Sequence, residues 1–319
     1  MLKLGIIGAG IMGERMLLAA VEHAAEVAEV SGVWDAAPAA LERVGSLLPG
    51  SARAGSAAEV INGAECVYVA TPPSSHLEYA EQALAAGKAV FLEKPLSVDV
   101  AAAEAFARRH GADRVAINFP FASSLAVQRL RQWIEDGAVS APRGFQIEVG
   151  FAKWPRPWQE AASGWLAGTA EGGFTREVVS HFLFLTRRVL GPLRLGTSRV
   201  ESDGQGTERL VEARIDAAAV KGKLRGAVGE TDRDDANCWT LRGTGAVRLR
   251  DWSIAERERP DGSWVPDPDA MPNEKARPLV LRRQLEQVAC MTLGQPHRLA
   301  RLDEALEVQI VVERILRAK

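Results

Sequence analysis

The chain has 319 residues, of which 47% are hydrophobic and 25% are charged, a composition that argues against a disordered or fibrous protein. Its 39 Lys and Arg residues are balanced by 41 Asp and Glu residues, so the net charge of −2 lacks the basic excess that nucleic-acid binding needs. Single domains usually hold about 50 to 250 residues, and the length therefore favours two domains.

The cysteines and the apolar segments indicate the cell compartment and bear on metal and membrane binding. Cys66, Cys238 and Cys290 show neither the paired spacing of a zinc site nor a disulfide framework. The sequence has no run of about 18 apolar residues, the length that a membrane-spanning helix needs. We therefore expect a cytoplasmic protein with no metal, and with no nucleic acid or membrane among its partners.

Short apolar strands alternate with helices over residues 1–118. We predict strands at 2–7, 30–34, 66–70, 89–92 and 115–118, and helices at 14–28, 41–48, 76–86 and 100–110. Alternation of this kind predicts a parallel sheet with helices on both faces. Residues 1–118 are therefore predicted to form a first domain built on a parallel sheet.

Residues 119–319 follow a different pattern. In segment 144–151, apolar residues alternate with polar ones, and segment 220–228 repeats this. We predict further strands at 193–200, 208–217, 238–242 and 246–250, and helices at 125–136, 174–189, 280–292 and 302–317. Period-two alternation is typical of a mostly antiparallel sheet with one packed face. The predicted fold class is α/β, with a parallel-sheet domain over residues 1–118 followed by a second α/β domain over residues 119–319.

The first predicted strand runs into Gly8-Ala9-Gly10-Ile11-Met12-Gly13. In this G-x-G-x-x-G motif the glycines allow a tight turn and a close approach to a pyrophosphate, and the following helix offers N–H donors. Asp35 ends the second strand, about 20 residues further on, where an acidic side chain binds the ribose hydroxyls. Because its charge repels a 2′-phosphate and the next basic residue is Arg43, NAD is favoured over NADP.

Two further segments follow strands of the first domain. Thr71-Pro72-Pro73-Ser74-Ser75-His76 comes after the third strand, and Glu93-Lys94-Pro95 after the fourth. The carboxyl ends of parallel strands present ligand-binding groups, so Lys94 is a candidate catalytic residue. The first segment could equally be a plain helix start, since Ser is a common N-cap and Pro a common first residue.

In order and spacing these segments, with 83–88 and the glycine motif, resemble the Gfo/Idh/MocA oxidoreductase family. The resemblance implies a Rossmann dinucleotide-binding domain, followed by an α/β domain that is built on a large open sheet and forms homodimers or homotetramers. It implies NAD(P)-dependent oxidation of a hydroxyl, or the reverse, on a sugar, inositol or related polyol. It also implies that Thr71, Pro72, His76, Glu93 and Lys94 lie along the cofactor.

The same resemblance implies an Asp-x-x-x-His pair on a helix of the second domain, which Glu177 and His181 match here with Glu in place of Asp. Imidazole suits proton acceptance at neutral pH, and a lysine can stabilise a developing alkoxide. Glu177 would orient one of these groups or bind a substrate hydroxyl. Alternatively, Glu177 belongs to a surface ion pair and His181 is a core residue.

Aromatic residues after the first strand of the second domain are candidates for substrate binding. Trp154, Trp158 and Trp165 lie among prolines and glycines, and aromatic faces can line a pocket for a sugar. A hydrophobic plug over the sheet would explain them as well. Asn118 ends the last strand of the first domain, at the edge expected to face ligand.

Two alternatives to a dehydrogenase or reductase are open at this point. One is an NAD-dependent glycosidase that oxidises its substrate transiently. The other is a non-catalytic NAD-binding sensor, for which Glu177 in place of Asp is the hint.

Overall fold

The computed structural model describes residues 1–50, 52–168 and 170–317, with only the backbone of Ala161 and Ala162. The chain divides into two compact units. The first comprises Met1–Ser123 and Pro278–Leu306, and the second comprises Ser124–Arg277 and the segment from Glu307.

The first unit contains a five-stranded sheet in the order β2-β1-β3-β4-β5. All its strand pairs are parallel, which confirms the predicted Rossmann sheet. Its strands are β1 (Leu2–Ile7), β2 (Ala28–Trp34), β3 (Cys66–Val69), β4 (Ala89–Leu92) and β5 (Val115–Ile117). Since parallel strands share one direction, the segments that follow β1, β3 and β4 lie at one edge of the sheet.

Five helices connect or follow these strands: α1 (Ile11–Leu18), α2 (Pro38–Leu47), α3 (Ala57–Gly63), α4 (His76–Ala85) and α5 (Val100–His110). The predicted helix 14–28 is wrong at both ends. The helix begins at Ile11, widens into a π turn at Ala19–His23 and ends before Ala28, which pairs with Leu2 in the sheet. Alanine favours helix, but strand pairing overrides that preference at Ala28.

The second unit contains an eight-stranded sheet in the order β13-β12-β11-β10-β6-β9-β8-β7. Every pair is antiparallel except β6 with β9, which confirms a large, mostly antiparallel sheet. The strands are β6 (Gly144–Phe151), β7 (Leu193–Ser202), β8 (Glu208–Ala217), β9 (Val220–Val228), β10 (Ala236–Arg242), β11 (Ala246–Arg250), β12 (Ile254–Glu258) and β13 (Trp264–Pro266). The alternation predicted for β6 is present, since Ile147 is buried and Glu148 exposed.

The remaining helices are α6 (Leu125–Glu135), α7 (Ser163–Leu166), α8 (Ser180–Leu190), α9 (Asn273–Thr292) and α10 (Leu302–Leu316). Most of α9 belongs to the first unit, where Leu281, Leu285, Val288 and Met291 join the core of the Rossmann sheet. The predicted segments 1–118 and 119–319 therefore differ from the observed units in where the chain from Pro278 to Leu306 belongs. Within the described ranges, no helix has the length and apolarity needed to span a membrane.

Candidate functional site

The glycine loop between β1 and α1 has three glycines in different surroundings. Gly8 has φ of +100°, and a Cβ there would lie 2.5 Å from the backbone of Ala70. A Cβ at Gly13 would lie 1.9 Å from the carbonyl oxygen of Gly8. At Gly10, by contrast, no atom of the described residues lies within 4 Å of the Cβ position. The loop is thus packed at its ends and open at its centre.

Helix α1 begins directly after Gly10, which provides no side-chain cap. Ile11 and Met12, both half-buried, form its first turn, where backbone N–H groups have no acceptor within the helix. Open space at Gly10 and free N–H donors are the features that a pyrophosphate requires. The loop therefore fits a dinucleotide.

Asp35, at the end of β2, and Arg43, on α2, both contact Ala9 in this loop. The carboxylate of Asp35 accepts hydrogen bonds from the backbone N–H groups of Ala9 (2.7 Å) and Ala37 (2.8 Å). The guanidinium of Arg43 donates to the carbonyl oxygen of Ala9 at 2.8 Å and pairs with Glu14. In the sequence Arg43 is the next basic residue after Asp35, and α2 brings its side chain back to the glycine loop.

A buried polar network lies next to Lys94. Glu93, directly after β4, accepts hydrogen bonds through Oε1 from Tyr68 Oη (2.5 Å) and Asn118 Nδ2 (2.6 Å). Gln284, on α9, donates to Asn118 Oδ1 at 2.5 Å. Burial and the neighbouring Glu93 carboxylate raise the pKa of Tyr68 well above its ordinary value. The side chains of Glu93 and Asn118 thus form hydrogen bonds inside the first unit, while Lys94 is half-buried.

His76 joins the two loops that follow β3 and β4. Its ring is fully buried, with Nδ1 2.7 Å from the carbonyl oxygen of Pro95 and Nε2 2.8 Å from that of Thr71. Pro72 is exposed in the same loop. His76 therefore links the loop after β3 to the loop that carries Lys94.

In the second unit, Glu208 on β8 holds the start of the helix that carries Glu177 and His181. Its buried carboxylate accepts from the backbone N–H (2.9 Å) and hydroxyl (2.6 Å) of Thr175. A Cβ at Gly173, where φ is +98°, would lie 2.0 Å from this carboxylate, so glycine is required there. Burial raises the pKa of Glu208 in spite of these hydrogen bonds.

Glu177 and His181 lie on a helix that is not regular. Thr175–Val179 forms a π turn, and the α-helix α8 begins only at Ser180. The prediction of one regular helix over 174–189 is therefore wrong in its first turn. The wider turn alters the i, i+4 geometry assumed for the pair. Glu177 is half-buried, and His181 is 8% exposed.

Trp252 contacts His181 from a different element. The two ring centroids are 5.4 Å apart at an interplanar angle of 74°, and the Trp252 ring also packs against Phe182 at 5.3 Å. Trp252 is the residue beside the predicted base that sequence reasoning missed, because it follows a strand in a charged stretch without a motif.

The predicted aromatic residues have unequal surroundings. Trp154 is buried, packs against Phe151 and Phe174, and donates its indole N–H to the carbonyl oxygen of Leu166 at 3.2 Å. Trp158 is 41% exposed, with the guanidinium of Arg156 4.6 Å from its ring centroid. Trp165 is half-buried. Trp154 is thus part of a hydrophobic plug, whereas Trp158 is partly exposed to solvent.

A protein-family model matches the first part of the chain. Residues 2–116 match the family model GFO_IDH_MocA, described as an oxidoreductase family with an NAD-binding Rossmann fold. This segment belongs to the Gfo/Idh/MocA family. The resemblance seen in its motifs is therefore confirmed for the Rossmann domain.

Curated relatives match only part of the chain. An inositol 2-dehydrogenase of Rhizobium meliloti is 34% identical over 97 residues, which are 30% of this chain and 29% of the relative. A dTDP-3,4-didehydro-2,6-dideoxy-alpha-D-glucose 3-reductase of Actinomadura kijaniata is 31% identical over 164 residues, 49% of this chain and 47% of the relative. The chain thus matches less than half the length of these two relatives, and neither is named as a glycosidase or a sensor.

Solved structures share the fold of the whole chain. A putative myo-inositol dehydrogenase from Sinorhizobium meliloti superposes with a TM-score of 0.78 at 19% identity, covering 100% of this chain and 97% of its own. An oxidoreductase from Agrobacterium radiobacter, solved with NAD+, L-tartaric acid and magnesium, gives a TM-score of 0.80 at 19% identity, covering 98% and 94%. The predicted two-domain α/β fold is therefore confirmed.

Proposed function

We propose that the protein is an NAD-dependent dehydrogenase or reductase acting on a carbinol or carbonyl carbon of a sugar-like or cyclic polyol. The observation that carries this proposal lies in the first unit. The glycine loop after β1, open at Gly10, and Lys94 after β4 follow strands of one parallel sheet at the same edge. A dinucleotide on the loop would extend along the edge where Lys94 lies.

The side chains have separate roles in this reaction. The bound nicotinamide supplies the acceptor or donor of hydride. Lys94 donates a hydrogen bond to the substrate oxygen and stabilises its negative charge. His181 accepts the hydroxyl proton during oxidation and returns it during reduction. Glu177 orients one of these groups or binds a neighbouring hydroxyl.

The substrate class rests on the relatives and on the aromatic segment. One matched relative is named for inositol and another for a deoxysugar nucleotide. Both compounds contain a ring with hydroxyl or carbonyl carbons, and the exposed part of Trp158 would pack against such a ring. We propose a small molecule of this kind as the partner, in a cytoplasmic homodimer or homotetramer.

NAD is proposed over NADP because of Asp35. Its carboxylate sits at the end of β2, against Ala9, where it would accept hydrogen bonds from the ribose hydroxyls and repel a 2′-phosphate. Arg43 opposes this preference, but its charge is shared with Glu14.

Turnover of a polyol panel tests the proposal. Purified protein, NAD+ and inositol isomers or aldoses should give a rise in nicotinamide absorbance with at least one compound. Lys94→Ala and His181→Ala should each lower kcat about a hundredfold or more, since each removes a group that stabilises charge or moves a proton.

Matched controls are Lys3→Ala, at the one exposed position of the otherwise buried strand β1, and His23→Ala, whose side chain is 43% exposed. Both should keep the wild-type rate. Full turnover by Lys94→Ala and His181→Ala on the same compound would contradict the mechanism.

A further inference from the structure

The turn between β11 and β12 has an unusual backbone. Asp251 has φ of +48° and Trp252 has φ of +72°, a region that residues with a Cβ rarely adopt and that makes a bulky residue an outlier. Among the described residues other than glycine, four have positive φ, and Asp251 and Trp252 are the adjacent pair. Hairpin turns with two such residues usually carry Asn-Gly or Asp-Gly, so Trp252 stands where glycine is expected.

Contacts on both sides hold this turn in place. The N–H of Asp251 donates to the carbonyl oxygen of Asn237 at 2.9 Å. Its carboxylate accepts from Arg250 (3.0 Å) and Arg233 (2.9 Å), and Ser253 Oγ donates to the carbonyl oxygen of Met271 at 2.8 Å. Left-handed residues persist where surroundings over-determine them, and they concentrate at functional sites.

The consequence of the turn is the position of one ring. The indole of Trp252 meets the imidazole of His181 at 74° with centroids 5.4 Å apart, a T-shaped pair of the kind that aromatic rings favour. Phe182, the next residue on the helix, packs against the same indole. The hairpin thus packs an aromatic ring against the buried imidazole, and this contact limits the rotation of the imidazole.

We propose that Trp252 is a positioning residue of His181. The indole keeps the imidazole in the orientation in which one ring nitrogen accepts the proton of the substrate hydroxyl, as the O–H bond breaks and the N–H bond forms. The kinetic part of this inference rests on the proposed function. The contact between the two rings does not, because both rings belong to the second unit.

Kinetics of Trp252→Ala provide the first test. Misplacing a catalytic group by about 1 Å can cost about a hundredfold, so kcat should fall between about tenfold and a hundredfold. KM should change by less than about threefold, because ground-state binding is kept. The solvent isotope effect on kcat should rise as proton transfer becomes slower. Trp252→Phe, which keeps an aromatic ring, should recover most of the rate.

Trp264→Ala is the matched control. Trp264 is also half-buried and lies in the same sheet, but its ring packs against Arg248 at 4.2 Å. Trp252→Gly is the second variant, because Asp-Gly suits this turn and should fold even if Trp252→Ala does not. The proposal would be overturned if kcat in Trp252→Gly and in Trp252→Ala were no lower than in Trp264→Ala and the isotope effect were unchanged.

Nuclear magnetic resonance of histidine-labelled protein tests the contact without substrate. Among the five histidines, the ring signal that His181→Gln removes should carry a ring-current shift. It should lose that shift in Trp252→Ala and keep it in Trp264→Ala. An unshifted His181 signal would refute the positioning role. If the wild-type protein shows the shift but His181→Ala retains full turnover, the proposed function fails and the contact between the two rings is still supported.

Discussion

At the scale of single residues, Ala9 receives opposite charges on its two backbone groups. Asp35 accepts from its N–H and Arg43 donates to its carbonyl oxygen. These contacts place a carboxylate and a guanidinium at the loop that would bind the adenosine half of a dinucleotide. Which one faces the ribose decides the preference between NAD and NADP.

Asp35→Ser is therefore expected to shift cofactor affinity. Removing the carboxylate ends its repulsion of a 2′-phosphate and leaves Arg43 nearby, so the ratio of NADP+ to NAD+ affinity should rise about tenfold or more, or about 1.4 kcal/mol. Isothermal titration with each nucleotide measures this without any substrate.

The control for this change is Asp136→Ser, at an exposed position after α6, which should leave the ratio unchanged. Adding Arg43→Ala to Asp35→Ser should remove most of the gain. An unchanged affinity ratio in Asp35→Ser would show that Asp35 does not face the ribose.

Asn118 and His76 show what a motif does not reveal about a residue. The amide of Asn118 is 1% exposed and bonded to Glu93 and Gln284, and both ring nitrogens of His76 face backbone carbonyl oxygens. Their positions at the strand ends were predictable from the sequence. Their inward orientation was not, because Gln284 reaches Asn118 from a helix 166 positions away in the sequence.

At the scale of elements, Glu208 fixes the start of the helix that carries the predicted base. Glu208→Ala leaves the Thr175 hydroxyl and N–H buried without this acceptor, so we expect a loss of about 1–3 kcal/mol in the free energy of unfolding. Glu208→Gln keeps one acceptor oxygen and should lose much less. Urea denaturation measures both changes.

Acidity should change this comparison in a defined direction. The pKa of Glu208 is raised from 4.5 by burial, so the folded state binds the proton more tightly than the unfolded state. Its contribution to stability is therefore present at low pH and is lost as pH rises from about 4.5 through the folded-state pKa. As the pH rises over that range, the free energy of unfolding of wild type should therefore fall relative to that of Glu208→Gln.

Glu212→Gln, on the same strand and half-buried, is the control, and its stability relative to wild type should not follow this pH dependence. A constant difference between Glu208→Gln and wild type across this pH range would contradict the raised pKa.

Elements with clear periodicity were predicted well, and those decided by neighbours were not. Strand β6 is found at the predicted bounds because Phe145, Ile147, Val149 and Phe151 form one buried face. The π turn at Thr175–Val179 and the two strands β12 and β13 have no such signal. Segment 254–258 is largely charged, and it is a strand because it pairs with β11.

At the scale of the whole molecule, α9 shows the limit of sequence patterns. Periodicity can show that Leu281, Leu285 and Val288 share a buried face, but not which core receives it. The structure places them in the core of the Rossmann sheet. Order along the chain suggested the other unit, and only long-range packing decides between them.

In the proposed function, the chain moves hydride between a polyol carbon and nicotinamide. The most direct test uses a substrate from the panel with deuterium on its carbinol carbons, incubated with NAD+ and analysed by mass spectrometry. We predict one deuterium on the reduced nicotinamide, and none in the same time with Lys94→Ala. Product formation with no deuterium on the nicotinamide would contradict hydride transfer, and equal labelling with Lys94→Ala would contradict the role of Lys94.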